Sequence, residues 1–456
     1  MKQAGGIDEI LVDHLPGETR AALVANGRLV SLAVIRPGRE SMAGAVLRGR
    51  VGIVRRDQGA AFVEIGAPKS GFLSLRRGAK PPVQGGALVV QVTKDAVEDK
   101  GPGLTDRPVL VGRLLTLRPG QPGLERSRRL DPDEFARAAK ALKGVELGGD
   151  GLMVNPAAFG ARDEALLGEA RALKETWDEA LKRSGAPKLL IPAPDPVLRA
   201  MLDHAATLKT ALFDDADRLN RARAGLQRLV PELAPLPKLH PGPAPLFRRH
   251  GLETQIGAAL SARVGLPGGA ALAIDELASM TVIDVDMARQ VFGGGNEDAA
   301  LAANLEAADE IARQIALRDL GGIVVVDFLR MASGANRKRV IEALRHAALS
   351  DAQQVDVLGM TPAGLVELTR RRGRPSLKHL LGGDPLAAGF ALLRAAIAAA
   401  QSQPGKKLVA RAAPPVVKAL EAETASLAFA CARIPAGLEL RADPSQSADK
   451  FDIAPG

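Results

Sequence analysis

Residues 281–331 constrain this chain more tightly than any other stretch, because they read as one strand–helix–strand unit that carries three aspartates to one edge of a sheet. From Val282 to Asp286 (VIDVD) apolar and acidic residues alternate, so Asp284 and Asp286 project from the same strand face. A Gly-rich turn follows at Gly293, Gly294 and Gly295. Over residues 298–317 Leu301, Leu305, Ala308, Ile311 and Ile315 recur at helical spacing, and Gly321-Gly322 ends the pattern just past Arg318. GIVVVDF (322–328) is then a continuous β-branched run, which predicts a strand buried on both faces. A helical crossover makes the two strands parallel, so Asp284, Asp286 and Asp327 end at one sheet edge, where open α/β sheets place their sites.

Carboxylates on neighbouring or next-but-one strands lie about 5–10 Å apart and repel unless a cation or protons intervene. Hard oxygen ligands suit Mg²⁺ or Mn²⁺, which takes one or two protein carboxylates and keeps positions for water and a phosphodiester. Metal-assisted phosphodiester hydrolysis is the chemistry such a site supports. The spacing serves equally well for two aspartates that merely cap turns at strand ends.

Three segments tip that balance. IDVDMA (283–288), NLEAADEIARQIALRDLGG (304–322) and VVVDFLRM (324–331) resemble the catalytic segment of the ribonuclease E/G family of single-strand-specific endoribonucleases. The resemblance implies that Asp284 and Asp327 bind the catalytic Mg²⁺, with Mn²⁺ an alternative. Asp286 stands where the family has the asparagine of its IDVNSG motif. That change adds a negative charge and removes a hydrogen-bond donor, and Asp286 is expected as the third catalytic acid, to orient the water or bind metal. Met287-Ala288 replaces Ser-Gly, and Arg330 stands where the family usually has a second acid.

At 456 residues the chain is long enough for roughly three to five compact units. Its net charge of +9 favours a polyanionic partner, nucleic acid or anionic lipid. Lipid is disfavoured because no helix pattern is basic on one face and bulky-apolar on the other. Met1 to Ile10 has no apolar signal core and no run approaches the ~20 apolar residues of a membrane span, so a cytoplasmic protein is expected. The lone Cys431 excludes an intrachain disulfide and a cysteine-based zinc site within one chain.

Residues 1–40 read as a strand meander with a type I′ hairpin at Asn26-Gly27. Five short strand-like pieces between Ala43 and Leu104 suggest a small Greek-key barrel. GRVGIVRRDQGAAFVEIGAPKSGFLSL (49–75) resembles the S1 type of oligonucleotide-binding barrel that the family carries at this point. Phe62 and Phe72 match the aromatics such barrels expose for base stacking, in a chain with only 3% aromatics. Core packing is the competing role for a phenylalanine in an alternating strand. Lys94 and Lys100 flank the last barrel strands and are placed to track phosphates, or simply to be solvated.

Residues 107–193 open with a basic knot that includes Arg128 and Arg129 and continue with helices at 133–142 and 162–183. In the family this region holds a pocket for a 5′-monophosphate, built around an Arg-Thr pair after a strand. Here Gly151 to Val154 supplies the strand but Asn155-Pro156 follows, and the pocket's other arginine falls near Gln353. Loss of the bidentate clamp and of a backbone N–H predicts a degenerate 5′ sensor and cleavage indifferent to the 5′ phosphate. Helices are expected at 197–213 and 216–229, before a Pro-rich linker at 231–247. Beyond the catalytic unit, Arg337 lies in a cluster opening a helix. Arg370 and Arg371 begin a cluster expected in a loop after a helix at 362–368. Basic clusters beside an acidic metal site are what backbone binding to RNA requires, although a solvated face fits the first cluster as well. RPSLKHLLGGDPLAAG (374–389) has no cysteine where the family commonly has a Cys-Pro-x-Cys zinc link, so no zinc and at most a homo-oligomer without that link are expected.

The expected fold class is therefore α/β multidomain. Residues 1–42 with 194–262 form a ribonuclease-H-like scaffold, 43–106 an inserted S1 (OB-type) barrel, and 107–193 the 5′-sensor region. Residues 263–381 form an α/β catalytic domain and 382–456 a small C-terminal α/β domain. The expected function is cleavage of single-stranded RNA in rRNA processing or mRNA decay. The alternative is an RNA-binding adaptor with an impaired nuclease centre.

Overall fold

The computed structural model describes residues 6–38, 40–76, 78, 80–96, 100–242, 244–287, 297–349, 351, 353, 355–448 and 450–456. Ala288 and the Gly293-Gly294-Gly295 turn fall outside them. The chain divides into two compact units. One comprises Met1–Arg39, Thr207–Ala224 and Leu233–Gly456; the other comprises Glu40–Ala206 and Gly225–Glu232.

The first unit contains three sheets. One has the strand order Pro237–Leu239, Thr210–Phe213, Glu9–Leu15, Glu18–Ala25, Arg28–Ile35. Its last three strands form an antiparallel meander, while the first three run parallel to one another. The meander turns at Asn26 and Gly27, both with positive φ (51° and 75°), as a two-residue type I′ turn demands. The expected helix at 197–213 is instead a short helix, Pro196–Asp203, followed by the Thr210–Phe213 strand. The Pro-rich linker contributes the edge strand Pro237–Leu239, where a missing N–H is tolerated.

The second sheet, six-stranded, runs in the order Arg263–Gly265, Ala270–Glu276, Met280–Met287, Gly322–Asp327, Val366–Arg370, Val355–Met360. Its helices Glu297–Leu317 and Gly334–Ala348 share one core with Leu272, Ile274, Ile283, Val285, Val324, Val326, Val366 and Leu368. Those strand residues alternate with exposed ones, so only one face is sealed. The Gly322–Asp327 strand is accordingly not buried on both faces: Ile323 is 46% exposed, and the β-branched run reflects strand propensity instead. The segment expected as a helix at 362–368 is the turn and second strand of a hairpin.

The third sheet orders Leu438–Ala442, Leu408–Ala412 and Phe451–Pro455. Against it packs Pro385–Ser402, a helix long and apolar enough by length and composition to cross a membrane, although Arg394 interrupts its apolar run. Here Phe390, Leu392, Leu393 and Ala396 of that helix are buried in protein cores.

In the second unit the strands Val46–Arg55, Ala60–Glu64, Gly71–Ser74, Gly103–Thr105 and Ala87–Lys94 close on themselves, because the first also pairs with the last. This is a closed five-stranded barrel, filled by Leu47, Ala61, Val63, Leu73, Val90 and Val92. A four-stranded sheet, Gly123–Arg126, Gly151–Val154, Leu115–Arg118 and Leu110–Val111, packs with helices Pro132–Ala141 and Asp163–Lys182 around Trp177.

Charge is buried at the heart of the first unit. Asp13 accepts hydrogen bonds from Arg20 (3.2 Å) and Arg394 (2.5 Å), and Glu18 accepts from Arg36 (2.9 Å) and Arg394 (2.7 Å). Burial by itself would raise the Asp13 carboxyl, but Arg20 and Arg394 outweigh it and hold the group down at about 2. A depressed acid contributes stability that is fully present above its unfolded value, near 4, and is lost as pH falls through its folded value. Asp13→Asn should therefore cost about 2–3 kcal/mol at pH 7, because each of two buried guanidinium groups loses one of its two acidic partners. In denaturant titrations its deficit should shrink between pH 4 and pH 2; a deficit that stays constant over that window would contradict this origin.

Candidate active site

Asp284 and Asp327 are register partners on adjacent parallel strands, so both carboxylates leave the sheet side by side on its unsealed face. Both are exposed. The Asp284 carboxyl is pushed up, first by partial desolvation and then by the negative charge of Asp327 and of Asp286, while Arg263 pulls it down. Two such carboxylates side by side are an arrangement a divalent cation relieves.

Asp286 shares that face but does not converge on the pair. Arg263, from the edge strand, donates to its Oδ2 at 2.9 Å, and this hydrogen bond lowers the Asp286 carboxyl. Among the described residues no group of three acidic, histidine or cysteine side chains gathers as a metal cage. The expected third acid is thus engaged by an arginine, which the sequence reading missed. The pattern in ALAIDE (271–276) signals another strand beside Asp284, but nothing in the sequence marks the three-residue edge strand that carries Arg263.

The loop after Asp327 is tied down by side chains. Asn304, fully buried in the crossover helix, donates to the Leu329 carbonyl (2.9 Å) and accepts from the Leu329 N–H (3.0 Å). Glu297 accepts from the N–H groups of Ala332 (2.8 Å) and Ser333 (3.1 Å) and from the Asn336 amide (2.9 Å). Arg337 donates through Nη1 to the carbonyls of Met331 (2.6 Å) and Ala332 (2.9 Å), so it braces this loop, and its side chain is half-exposed.

Arg370 corrects another expectation. It is 5% exposed and sealed between Asp351 (2.7 Å) and Asp319 (3.2 Å), where no phosphate can reach it. The cause is position: as the last residue of a strand, with its side chain on the core side, it could be buried only with its charge paired. Arg371, one residue on, faces outward and is exposed. Gln353 lies in the same neighbourhood, its backbone N–H donating to Asp351 at 2.8 Å.

In the other unit, Phe62 and Phe72 face each other across neighbouring barrel strands with ring centroids 5.9 Å apart, edge to face. Phe72 is 45% exposed, so the barrel core does not consume it. The row continues through Gly103, the register partner of Phe72, to Lys94, the partner of Gly103. Two rings, a side-chain-free position and an exposed cation make a shelf suited to stacked bases and a phosphate. Lys100, Arg128 and Arg129 are also exposed.

Asn155 is 8% exposed and engaged internally: it accepts from the Thr116 hydroxyl (2.9 Å), and its amide donates to the carbonyls of Gly112 (3.4 Å) and Arg113 (3.3 Å). Pro156 starts a 3₁₀ turn and has no N–H to offer.

Comparison with known proteins gives a consistent result. The model of the ribonuclease E/G family matches residues 109–373. Ribonuclease E of Haemophilus influenzae is 34% identical over 386 residues, 79% of this chain, though the match spans only 41% of that longer protein. Ribonuclease G of the same organism is 31% identical over 82% of this chain and 81% of its own length. Ribonuclease G of Salmonella typhimurium is 29% identical over 98% of this chain and 99% of its own. With more than half of its length inside the family match and a relative of similar extent above 30% identity, this chain belongs to the ribonuclease E/G family.

Proposed function

We propose that the protein is an endoribonuclease that cuts single-stranded RNA by Mg²⁺-assisted phosphodiester hydrolysis, with Asp284 and Asp327 as the metal ligands. The observation that carries this reading is their side-by-side register on the unsealed face of the sheet. Two exposed carboxylates fit Mg²⁺, which binds proteins through one or two such groups and keeps its other positions for water and phosphate oxygens. When bound, the ion would supply Lewis-acid polarisation of the phosphodiester and a lowered water pKa. Mn²⁺ would serve the same ligands. The chain's own residues fix the geometry: the parallel pairing sets the spacing of the two carboxylates, and Asn304, Glu297 and Arg337 hold the loop that follows Asp327.

The closed barrel is consistent with an S1-like module, and on this reading Phe62, Phe72 and Lys94 hold the RNA there, with Lys100, Arg128, Arg129 and Arg371 adding phosphate contacts. The strand order around Glu9–Leu15, an antiparallel meander joined to parallel strands, supports the ribonuclease-H-like scaffold assignment. The internally satisfied Asn155 amide supports a 5′ end that goes unread. The Arg263–Asp286 pair favours the second reading, an RNA-binding adaptor, because it diverts the third acid from any metal. Cleavage assays separate the two.

With Mg²⁺ and an A/U-rich single strand, the wild type should make discrete internal cuts that Asp284→Asn and Asp327→Asn each reduce by at least about 100-fold, as expected when Lewis-acid catalysis worth several kcal/mol is lost. RNA binding by these variants should persist; binding without cuts in the wild type would select the adaptor. Phe72→Ala should weaken binding of a short single strand by about 5- to 150-fold, the equivalent of one stacked base, while the lost edge-to-face contact with Phe62 costs the barrel about 0.5–1.5 kcal/mol. Substrates bearing a 5′-monophosphate or a 5′-hydroxyl should be cut at rates within about twofold of each other, and a tenfold preference, about 1.4 kcal/mol, would overturn the lost-sensor reading.

A further inference from the structure

Arg263, on the open face, has no part in binding or catalysis in the scheme above. Arg263 is the register partner of Ala273, Ala273 of Asp284, and Asp284 of Asp327, so four neighbouring strands present a cation, a methyl group and two acids in a single line. Ala273 is only half-buried and adds no bulk, so the Arg263 side chain can reach across that strand to Asp286, on the same strand as Asp284. The Arg263 and Asp286 side chains are 60% and 48% exposed, so the ion pair stands in solvent and adds little stability. One guanidinium edge suffices for Asp286 Oδ2, and a fork of five N–H donors has others to offer.

We propose that Arg263 contacts the phosphodiester backbone of the RNA at the catalytic centre, and that Asp286 is a positioning residue that holds the guanidinium beside the acid pair. The inference rests on the nuclease reading of this face but goes beyond the metal ligands. A polyanion approaching two carboxylates meets repulsion, and Arg263 is the cation in their register row. Adjacent strands are ~4.8 Å apart, so the Arg263 backbone lies about 10 Å from that of Asp284, a gap spanned by one extended arginine side chain plus a phosphate. Arginine suits the task because it stays charged and binds phosphate oxygens in pairs. The acid at 286, in place of the family's asparagine, is then the partner this arginine requires.

The test is binding and cleavage by the full chain carrying Arg263→Gln, Arg263→Lys or Asp286→Ala. A fluorescent single-stranded RNA is titrated without divalent metal across a salt series, and cleavage with Mg²⁺ is measured separately. Arg263→Gln should weaken metal-free binding about 3- to 10-fold and lower the slope of log affinity against log salt by about 0.7, one single-strand phosphate contact, with thermal stability unchanged. Arg263→Lys should restore the slope but not the full affinity. Asp286→Ala should leave the slope intact and lower kcat by more than it raises KM. Unchanged affinity and slope in Arg263→Gln would overturn the proposal, as would equal loss of stability in all three variants, the mark of a merely structural ion pair. Because the metal-free slope does not depend on catalysis, a wild type that binds RNA but does not cut it would sink the nuclease reading while the slope still reports on Arg263.

Discussion

Everything at the site depends on one pairing, the in-register parallel contact between Met280–Met287 and Gly322–Asp327. Parallel neighbours require a crossover, and the crossover is the Glu297–Leu317 helix. That helix is buried on more than its sheet-facing side. Its Glu310 is paired with Arg28 (2.6 Å), and Arg313 donates to the Leu29 carbonyl (2.5 Å), so the first sheet grips the helix from behind. A slip of one residue in the pairing would turn Asp284 or Asp327 into the core, where Ile283 and Val326 now sit. The apolar side of the sheet therefore enforces the spacing of the acids on its other side.

The same unit shows how arginine permits charge inside a protein. Asp13 and Glu18 share Arg394, which comes from the apolar Pro385–Ser402 helix, and Arg20 and Arg36 complete the set. Arg20 also lies over the Phe247 ring and Arg36 over Phe390, so each guanidinium meets an acid on one side and an aromatic face on another. Replacing such a network with apolar residues can be neutral or stabilising; removing one member strands the rest. Its effect here is alignment: Arg394 can satisfy both acids only if the C-terminal helix docks in one position against the first sheet.

Where local pattern and tertiary environment agreed, the chain was readable. The crossover helix, the Asn26-Gly27 hairpin and the five barrel strands follow from periodicity and turn chemistry, and the structure forms them with shifts of a residue or two at the ends. Residues 197–213 misled because a helical apolar spacing continues through His204 into a β segment; only pairing with Glu9–Leu15 decides that Thr210–Phe213 is a strand. The stretch 362–368 misled for a similar reason, its strand character being conferred by its hairpin partner. At the site, Asp284 and Asp327 could be placed from sequence because their strands are each self-evident. Arg263 could not, since its proximity to Asp286 depends on an edge strand of three residues, shorter than any periodicity can register.

Arginine count is a poor guide to where RNA touches, and the reason is geometric. Arg370 and Arg371 are adjacent in sequence, yet the last strand position sends one into an ion-paired core while the next residue, past the strand end, stays outside. Arg337, in another basic run, gives one guanidinium nitrogen to backbone carbonyls of the loop it braces. The basic excess of this chain thus divides into arginines that hold the fold and arginines that face solvent, and only alternation and register tell them apart. Applied to the open face, the same criterion separates Asp284 and Asp327, which point at solvent beside each other, from Asp286, whose charge an arginine has already met.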